Sequence, residues 1–189
     1  MQIGIREQRD FTVALKPTIY KLRIALSDLE RNYYDTLSLT VALHPSETAA
    51  RMMARVVAFC INAQDSLVFT KGLSEVDEPD IWVRVLDESI SLRIDVGEPA
   101  PDRIKKAGRR ATKVKVYSFN SKSGIWWEQG KSKFDIQNVE FYRFDHQKIE
   151  ELAVLLTRTM DMSVTITGES AYIATNEGEC EIFWQTLKS

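Results

Sequence analysis

Apolar and polar residues alternate over much of this chain, and a period of two is typical of half-buried β-strands. It predicts strands at residues 18–26, 33–43, 67–69, 80–85, 90–96, 114–119, 139–144, 162–167 and 180–185, with a shorter one at 171–174. Apolar residues three or four positions apart instead predict helices, from an N-cap at Ser46 to Cys60, from Pro101 to Ala107 and over 147–158, with a short helix or packed loop at 125–127. This order predicts an α/β (α+β) protein whose mixed central β-sheet is flanked by helices.

Residues 80–96 are predicted to form a β-hairpin with a two-residue turn at 87–88. Such a turn places Trp82 opposite Arg93, where the ring and the guanidinium can form a cation–π contact. The same register brings two aspartates, Asp80 and Asp95, directly opposite each other.

Opposed residues of an antiparallel pair project from one face with Cβ atoms about 5 Å apart, and like charges at that distance are destabilising. Asp80 and Asp95 therefore need a neutralising partner, and a divalent cation with oxygen ligands is one that fits. Each aspartate also has a plainer interpretation, Asp80 as a turn residue after Pro79 and Asp95 as a solvated strand position.

The helix after Asp95 is strongly basic, which is what phosphodiester chemistry beside a metal site needs. The metal activates water, and a lysine positions the nucleophile or neutralises developing charge. The basic residues of this segment are Arg103, Lys105, Lys106, Arg109 and Arg110. A charge run is also typical of a solvated helix face.

Glu47 is a third acid and shares a helical stripe with Arg51 and Arg55 at i, i+4 and i+8. Two interpretations stay open for it. It borders the same cleft as the aspartates, or it is an acid of the first helical turn paired with Arg51.

Several motifs follow one another along the chain: His44-Pro45-Ser46-Glu47-Thr48, Arg51-Met52-Met53, Phe69-Thr70-Lys71-Gly72-Leu73, Asp77-Glu78-Pro79, Arg103-Ile104-Lys105-Lys106-Ala107, Ile125-Trp126-Trp127 and Arg158-Thr159-Met160. Together they resemble the YaeQ family, a bacterial group whose fold is a variant of the PD-(D/E)XK nuclease fold. The resemblance implies a restriction-endonuclease-like sheet with an additional β-hairpin at each end. It also implies a single domain at residues 14–189, preceded at 1–13 either by a disordered tail or by residues that result from a start codon assigned too far upstream.

The resemblance also implies roles for individual residues. The acids that it implies for catalysis and for binding Mg²⁺ or Mn²⁺ are Asp80, Asp95 and Glu47. In the family pattern a lysine stands two residues after the second acid, where this chain has Gly97. Lys105 or Lys106 of the following helix would have to replace it.

Two functions are compatible with these features. The first is a metal-dependent phosphodiesterase that acts on nucleic acid, with DNA or RNA held by the basic helix. The second, motivated by Gly97, is a non-catalytic module that keeps the nuclease fold and binds nucleic acid or protein. The substrate and the oligomeric state stay open.

The formal net charge of −2 provides no overall basic field, so nucleic acid must be bound by a local patch. This near-neutral charge slightly favours the non-catalytic module. No stretch approaches the ~18 apolar residues of a membrane helix, and Cys60 and Cys180 are too few for a disulfide framework. We expect a cytoplasmic protein.

Overall fold

The computed structural model describes residues 16–71 and 78–189, so the predicted tail at residues 1–13 lies outside it. The strands of the described residues are β1 (Thr18–Asp28), β2 (Tyr33–Leu43), β3 (Leu67–Phe69), β4 (Ile81–Arg84), β5 (Ile90–Val96), β6 (Ala111–Ser118), β7 (Val139–Phe144), β8 (Thr159–Thr167), β9 (Ser170–Thr175) and β10 (Gly178–Lys188). The helices are α1 (Ala49–Ile61), α2 (Pro101–Arg110), α3 (Ser123–Gly130) and α4 (His146–Val154), with a 3₁₀ turn at Lys131–Lys133. None of these helices has the length and apolar character to cross a membrane.

All ten described strands form one sheet in the order β2-β1-β8-β9-β10-β7-β6-β5-β4-β3. The pairs β1–β8, β5–β6 and β6–β7 are parallel, and the other neighbours are antiparallel. The predicted mixed sheet is therefore confirmed. The hairpins β1–β2 and β9–β10, from opposite ends of the chain, lie close together in the sheet with only β8 between them.

The sheet is curved and nearly closed, and α1 lies on its inner face. Every residue of α1 from Met52 to Cys60 is buried, which is the pattern of a helix enclosed on all sides. The same apolar core contains residues of both edge strands, such as Val41 of β2 and Leu67 of β3. We therefore describe α1, with α4 beside it, as packed on the inner face.

Arg55 of α1 joins the two edges of the sheet. Its Nη2 donates to the carbonyl of Ala42 on β2 at 3.0 Å. Its guanidinium also lies 5.7 Å from the ring centroid of Phe69 on β3. A buried guanidinium with several partners fixes geometry better than apolar contact alone, so Arg55 holds the edges of the sheet at this position.

A second, smaller core covers the outer face of β5, β6 and β7. Ile104 and Ala107 of α2 pack there against Val114, Val116 and Phe141. Trp126 and Trp127 of α3 border the same core, with Trp127 at 5.3 Å from the ring of Phe141. Thus α1 and α2 lie on opposite faces of the sheet.

Several element boundaries differ from the predicted ones, and three of the differences have a clear structural cause. The N-cap of α1 is Thr48, whose side chain accepts the Arg51 N–H, and not Ser46, which bonds to His44. The predicted helix 147–158 ends at Val154, because the Arg158 carbonyl accepts the N–H of Lys21 and leads the chain into the β1–β8 pairing.

The turn between β4 and β5 was also predicted wrongly. It contains residues 85–89, because the register shifts between Val83 and Arg84 so that Arg84 pairs with Ile90. Glu88 in this loop has a positive φ of 65°. A two-residue turn would require a positive φ at both the aspartate and the glutamate.

Leu152 of α4 tests the packing inside the curved sheet, because its side chain is fully buried. We expect Leu152→Ala to lower the free energy of unfolding by about 2–5 kcal/mol, since it leaves a cavity. The matched control is Leu86→Ala, whose side chain is fully exposed and should change stability by less than about 0.5 kcal/mol. Equal losses in urea denaturation would contradict the packing of α4 on the inner face.

Candidate functional site

The predicted acids gather where the carboxyl end of β5 meets the first turns of α1 and α2. The pairing of Trp82 with Arg93 confirms the predicted register in this part of the hairpin. The N–H of Asp80 donates to the Ile94 carbonyl at 3.0 Å, which continues the strand contact one residue beyond β4.

Asp95 is buried and forms ion pairs with two arginines. Arg93 binds both of its oxygens, with Nε–Oδ2 at 2.7 Å and Nη2–Oδ1 at 3.0 Å. Arg103 of α2 adds Nη2–Oδ1 at 2.9 Å. The carboxylate is therefore turned to the outer face, where α2 packs.

Asp80 is equally buried but is turned to α1. Its Oδ1 accepts Arg51 Nη2 at 2.7 Å, and its Oδ2 accepts the backbone N–H of Val96 at 2.7 Å. Asp80 and Asp95 therefore have different arginine partners, one on α1 and the others on β5 and α2, and the shared cation stays a prediction. Asp80 lies just before β4, so the alternation of the strand does not fix its direction.

Glu47 lies just before α1 and binds two arginines of that helix. Its Oε1 accepts Arg51 Nη1 at 2.7 Å and Arg55 Nε at 2.8 Å, and its Oε2 accepts Arg55 Nη2 at 2.8 Å. Arg51 therefore bridges Glu47 and Asp80. Glu47 is paired with Arg51, as one of its two interpretations expected, although it lies before the N-cap and not in the first helical turn. Through Arg51 it also lies beside Asp80, so its place at the same cleft stays a prediction.

The acids and their cations form one arginine–carboxylate network. Its members are Glu47, Asp80, Asp95, Arg51, Arg55, Arg93 and Arg103. All six carboxylate oxygens accept at least one N–H. The four guanidinium groups already exceed the three negative charges.

This donor set does not fit a divalent cation. Mg²⁺ and Mn²⁺ bind carboxylate oxygens whose lone pairs and charge are available, and here five of the six oxygens accept N–H groups of arginines and the sixth accepts the Val96 N–H. In the part of the chain that the structure describes, no three His, Cys, Asp or Glu side chains are grouped so that they could hold a metal ion.

Burial and charge act in opposite directions on the pair at the centre of the network. Burial raises the pKa of Asp80, while Arg51 and the Val96 N–H lower it, and the net direction is upward. Burial lowers the pKa of Arg51, but Asp80 and Glu47 together raise it above its ordinary value. The ionised form of Asp80 therefore depends on the guanidinium of Arg51.

The cation–π contact was assigned to the wrong arginine. The guanidinium of Arg84 lies 3.9 Å from the ring centroid of Trp82. Arg93, which faces Trp82 across the hairpin, is instead bound to Asp95. Leaving the buried carboxylate of Asp95 without a cation would cost more free energy than a cation–π contact with the Trp82 ring would gain.

The position of the missing lysine has a backbone explanation. Gly97 has a φ of 120°, and its N–H donates to the Tyr117 carbonyl at 2.9 Å. An L residue is strained at that angle, so the chain leaves β5 in a conformation that favours glycine. Lys105 and Lys106 are exposed on α2, and among the described residues neither contacts the three acids, whose α2 partner is Arg103.

The acids were predictable from the sequence, but two of their partners were missed. Arg93 and Asp95 stand two positions apart on one strand, and such residues share a face. Arg103 lies in the first turn of the next helix, which packs on the outer face of the sheet. An i, i+2 Arg-x-Asp pair followed by a basic helix is the signal that indicates this pairing.

Fold and site define an α+β protein with a nearly closed mixed sheet and acids that are neutralised by arginines. A family model described as "YaeQ protein" matches residues 13–184. The chain is 37% identical over 172 residues to the "Uncharacterized protein YaeQ" of Escherichia coli K12, covering 90% of this chain and 95% of that one. The chain belongs to the YaeQ family, as its motifs predicted.

Solved structures agree with this assignment. The YaeQ protein from Xanthomonas axonopodis pv. citri superposes with a TM-score of 0.88 at 32% identity, covering 92% of this chain and 99% of that chain. The YaeQ protein from Pseudomonas syringae gives 0.87 at 30% identity, covering 92% and 97%.

Removing Asp95 distinguishes an ion pair from a metal ligand. We expect Asp95→Asn to lower the free energy of unfolding by about 3–5 kcal/mol, because it removes the charge of a buried carboxylate that binds both Arg93 and Arg103. The control is Asp161→Asn, at an exposed strand position of β8, which should have little effect. Unchanged or higher stability in Asp95→Asn, as expected where acids repel one another, would contradict the network.

Removing Arg51 should make stability depend on pH. In Arg51→Met the pKa of Asp80 should rise further, because burial raises it and only the Val96 N–H and the more distant charge of Arg55 remain to lower it. A carboxyl group with a raised folded pKa contributes its stability at low pH and loses it as pH rises through that pKa. The destabilisation should therefore be larger at pH 7 than near pH 4, about the ordinary pKa of aspartate. Urea denaturation at both values, with Arg23→Met as an exposed control, measures this, and equal losses at the two pH values would contradict it.

Proposed function

We propose that this protein is a non-catalytic nucleic-acid-binding module on a variant of the restriction-endonuclease-like PD-(D/E)XK fold. It binds the phosphate backbone through the basic outer side of α2. The positions of the acids, on the β4–β5 hairpin and beside α1, support the relation to that fold.

The observation that carries this proposal is the separation of charge along the chain. Residues 101–133 contain ten Lys or Arg and only two Asp or Glu, although the whole chain has a net charge of −2. The rest of the protein is therefore acidic, and positive charge is concentrated on α2, on β6 and in the residues that flank α3. Phosphate contacts dominate the affinity of nucleic-acid binding.

The orientation of α2 exposes this charge. Ile104 and Ala107 fix the helix to the outer face of the sheet. The opposite side of the helix carries exposed cations at Lys105, Lys106, Arg109 and Arg110. The helix α3 borders the same core, so the exposed Lys133 of the following 3₁₀ turn extends the basic surface.

The arginine–carboxylate network positions α2 and does not supply metal ligands. Arg103 binds Asp95 and also donates to the Glu78 carbonyl at 2.8 Å, which holds the first turn of α2 against the hairpin. Cleavage by a metal-dependent mechanism would require these acids to exchange arginine for a cation. The geometry thus supports binding without turnover better than a nuclease.

Lys105 and Arg109 test the basic surface, because they are four positions apart on one helix face. We expect Lys105→Gln/Arg109→Gln to weaken binding of labelled 20-nucleotide DNA or RNA in fluorescence anisotropy. If both residues contact phosphates of duplex DNA, the slope of log K against log salt should fall by about 1.8. The control is Lys21→Gln/Arg23→Gln, the same residue types on the exposed side of β1.

The outcomes separate the proposals. No binding of single- or double-stranded DNA or RNA at low salt, or equal weakening in both double variants, would contradict a role for α2. Cleavage of the same oligonucleotides with Mn²⁺, abolished by Asp95→Asn in protein that remains folded, would establish the nuclease instead.

A further inference from the structure

The strands β6 and β7 are parallel neighbours whose following helices lie on opposite faces of the sheet. The helix α3 borders the outer core, while Ile149 and Leu152 of α4 belong to the inner one. In sheets of parallel strands, ligands bind in the crevice outside the carboxyl ends of the strands where connections diverge in this way. A cavity of about 460 Å³ lies at this point, and its lining includes Ser121, Ser123, Gly124, Arg143, His146 and Gln147.

The cation of this cavity is Arg143 on β7. Its Nη2 donates to Gln185 Oε1 at 2.7 Å, and within residues 16–71 and 78–189 it forms no ion pair with a carboxylate. Its Nη1 lies 3.1 Å from the position that a Cβ on Gly124 would occupy. The guanidinium therefore sits against the first turn of α3.

The first turn of α3 presents donors that the described residues do not satisfy. The N-cap is Lys122, whose side chain makes no capping bond. The N–H groups of Gly124 and Ile125 have no acceptor in the part of the chain that is described. Free N–H groups at a helix N-terminus are suited to an anion.

Ser123 provides an independent indication of a ligand. It is only 5% exposed, it lines the cavity, and among the described residues no partner of its hydroxyl is found. In the described part of the chain, the buried side-chain atom that has no hydrogen-bond partner is Nδ1 of His146, which lines the same cavity. Leaving such an atom unpaired costs free energy, and both the imidazole and the Ser123 hydroxyl can donate to an acceptor in the cavity. An oxyanion supplies that acceptor.

The acids around the cavity are already engaged. Asp145 also lines it, but its Oδ1 accepts the Lys148 N–H at 3.1 Å as the N-cap of α4. Glu98, which approaches from the end of β5, accepts the N–H groups of Phe119 and Asn120 at 3.0 Å each. The donors that remain for a ligand are Arg143, Ser123 and the first turn of α3.

We infer that this cavity binds the phosphate group of a small phosphorylated ligand. Arg143 provides a charge-assisted contact, and the Ser123 hydroxyl and the Gly124 and Ile125 N–H groups complete the set of donors. The volume suits a ligand of small-molecule size. The site shares no residue with the basic side of α2, so it holds or fails independently of nucleic-acid binding.

The test is isothermal titration of the full chain with inorganic phosphate, adenosine 5′-monophosphate and adenosine at constant ionic strength. We expect the phosphorylated probes to bind and adenosine not to bind. Arg143→Gln should weaken binding about ten- to a hundredfold and Ser123→Ala about three- to tenfold. The matched control is Arg23→Gln, whose arginine lines a different cavity of about 470 Å³ and whose loss should leave binding unchanged.

Each outcome decides the inference. Tighter binding of the nucleotide than of phosphate supports a phosphomonoester ligand, and equal binding supports recognition of phosphate alone. No binding of either probe at millimolar concentration, or unchanged affinity in Arg143→Gln, overturns the site. If circular dichroism shows that Arg143→Gln does not fold, Ser123→Ala decides, and unchanged affinity in that variant overturns the site as well.

Discussion

Charge compensation between buried carboxylates and guanidinium groups is the interaction on which the rest of this structure depends. Glu47, Asp80 and Asp95 lie in the protein interior, where an isolated carboxylate is very costly. Arginines from α1, β5 and α2 bind five of the six carboxylate oxygens, and the backbone N–H of Val96 binds the sixth, Oδ2 of Asp80. Because its members come from four different segments, the network fixes the first turns of α1 and α2 relative to the hairpin.

The same network assigns different tasks to the two faces of the sheet. On the inner face, Arg55 binds Glu47 and reaches both edge strands, so it couples the acids to the closure of the sheet. On the outer face, Arg103 holds α2, whose Lys105 and Arg109 are exposed. Under the proposed function, residues that resemble nuclease ligands have become the support for a phosphate-binding helix.

The sequence predicted most elements because their two- and 3.6-residue periods are strong, and it predicted the pairing of Trp82 with Arg93. It could not predict the direction of Asp80, because that residue lies beyond the end of β4 and bonds to Val96 from across the hairpin. Tertiary contacts also decide that Arg84, and not the predicted Arg93, contacts the ring of Trp82. The crevice between β6 and β7 was missed because the hydrophobic periodicity of a helix does not predict on which face of the sheet α3 and α4 will pack.

The central claim is that arginines, and not a metal ion, neutralise the three buried acids. The most direct measurement is a crystal soaked in manganese, with an anomalous difference map calculated around these residues. The account predicts no anomalous peak within bonding distance of Asp80, Asp95 or Glu47, and arginine contacts that are unchanged. A manganese ion bound to any of these carboxylates, with Arg51 or Arg103 displaced, would contradict it.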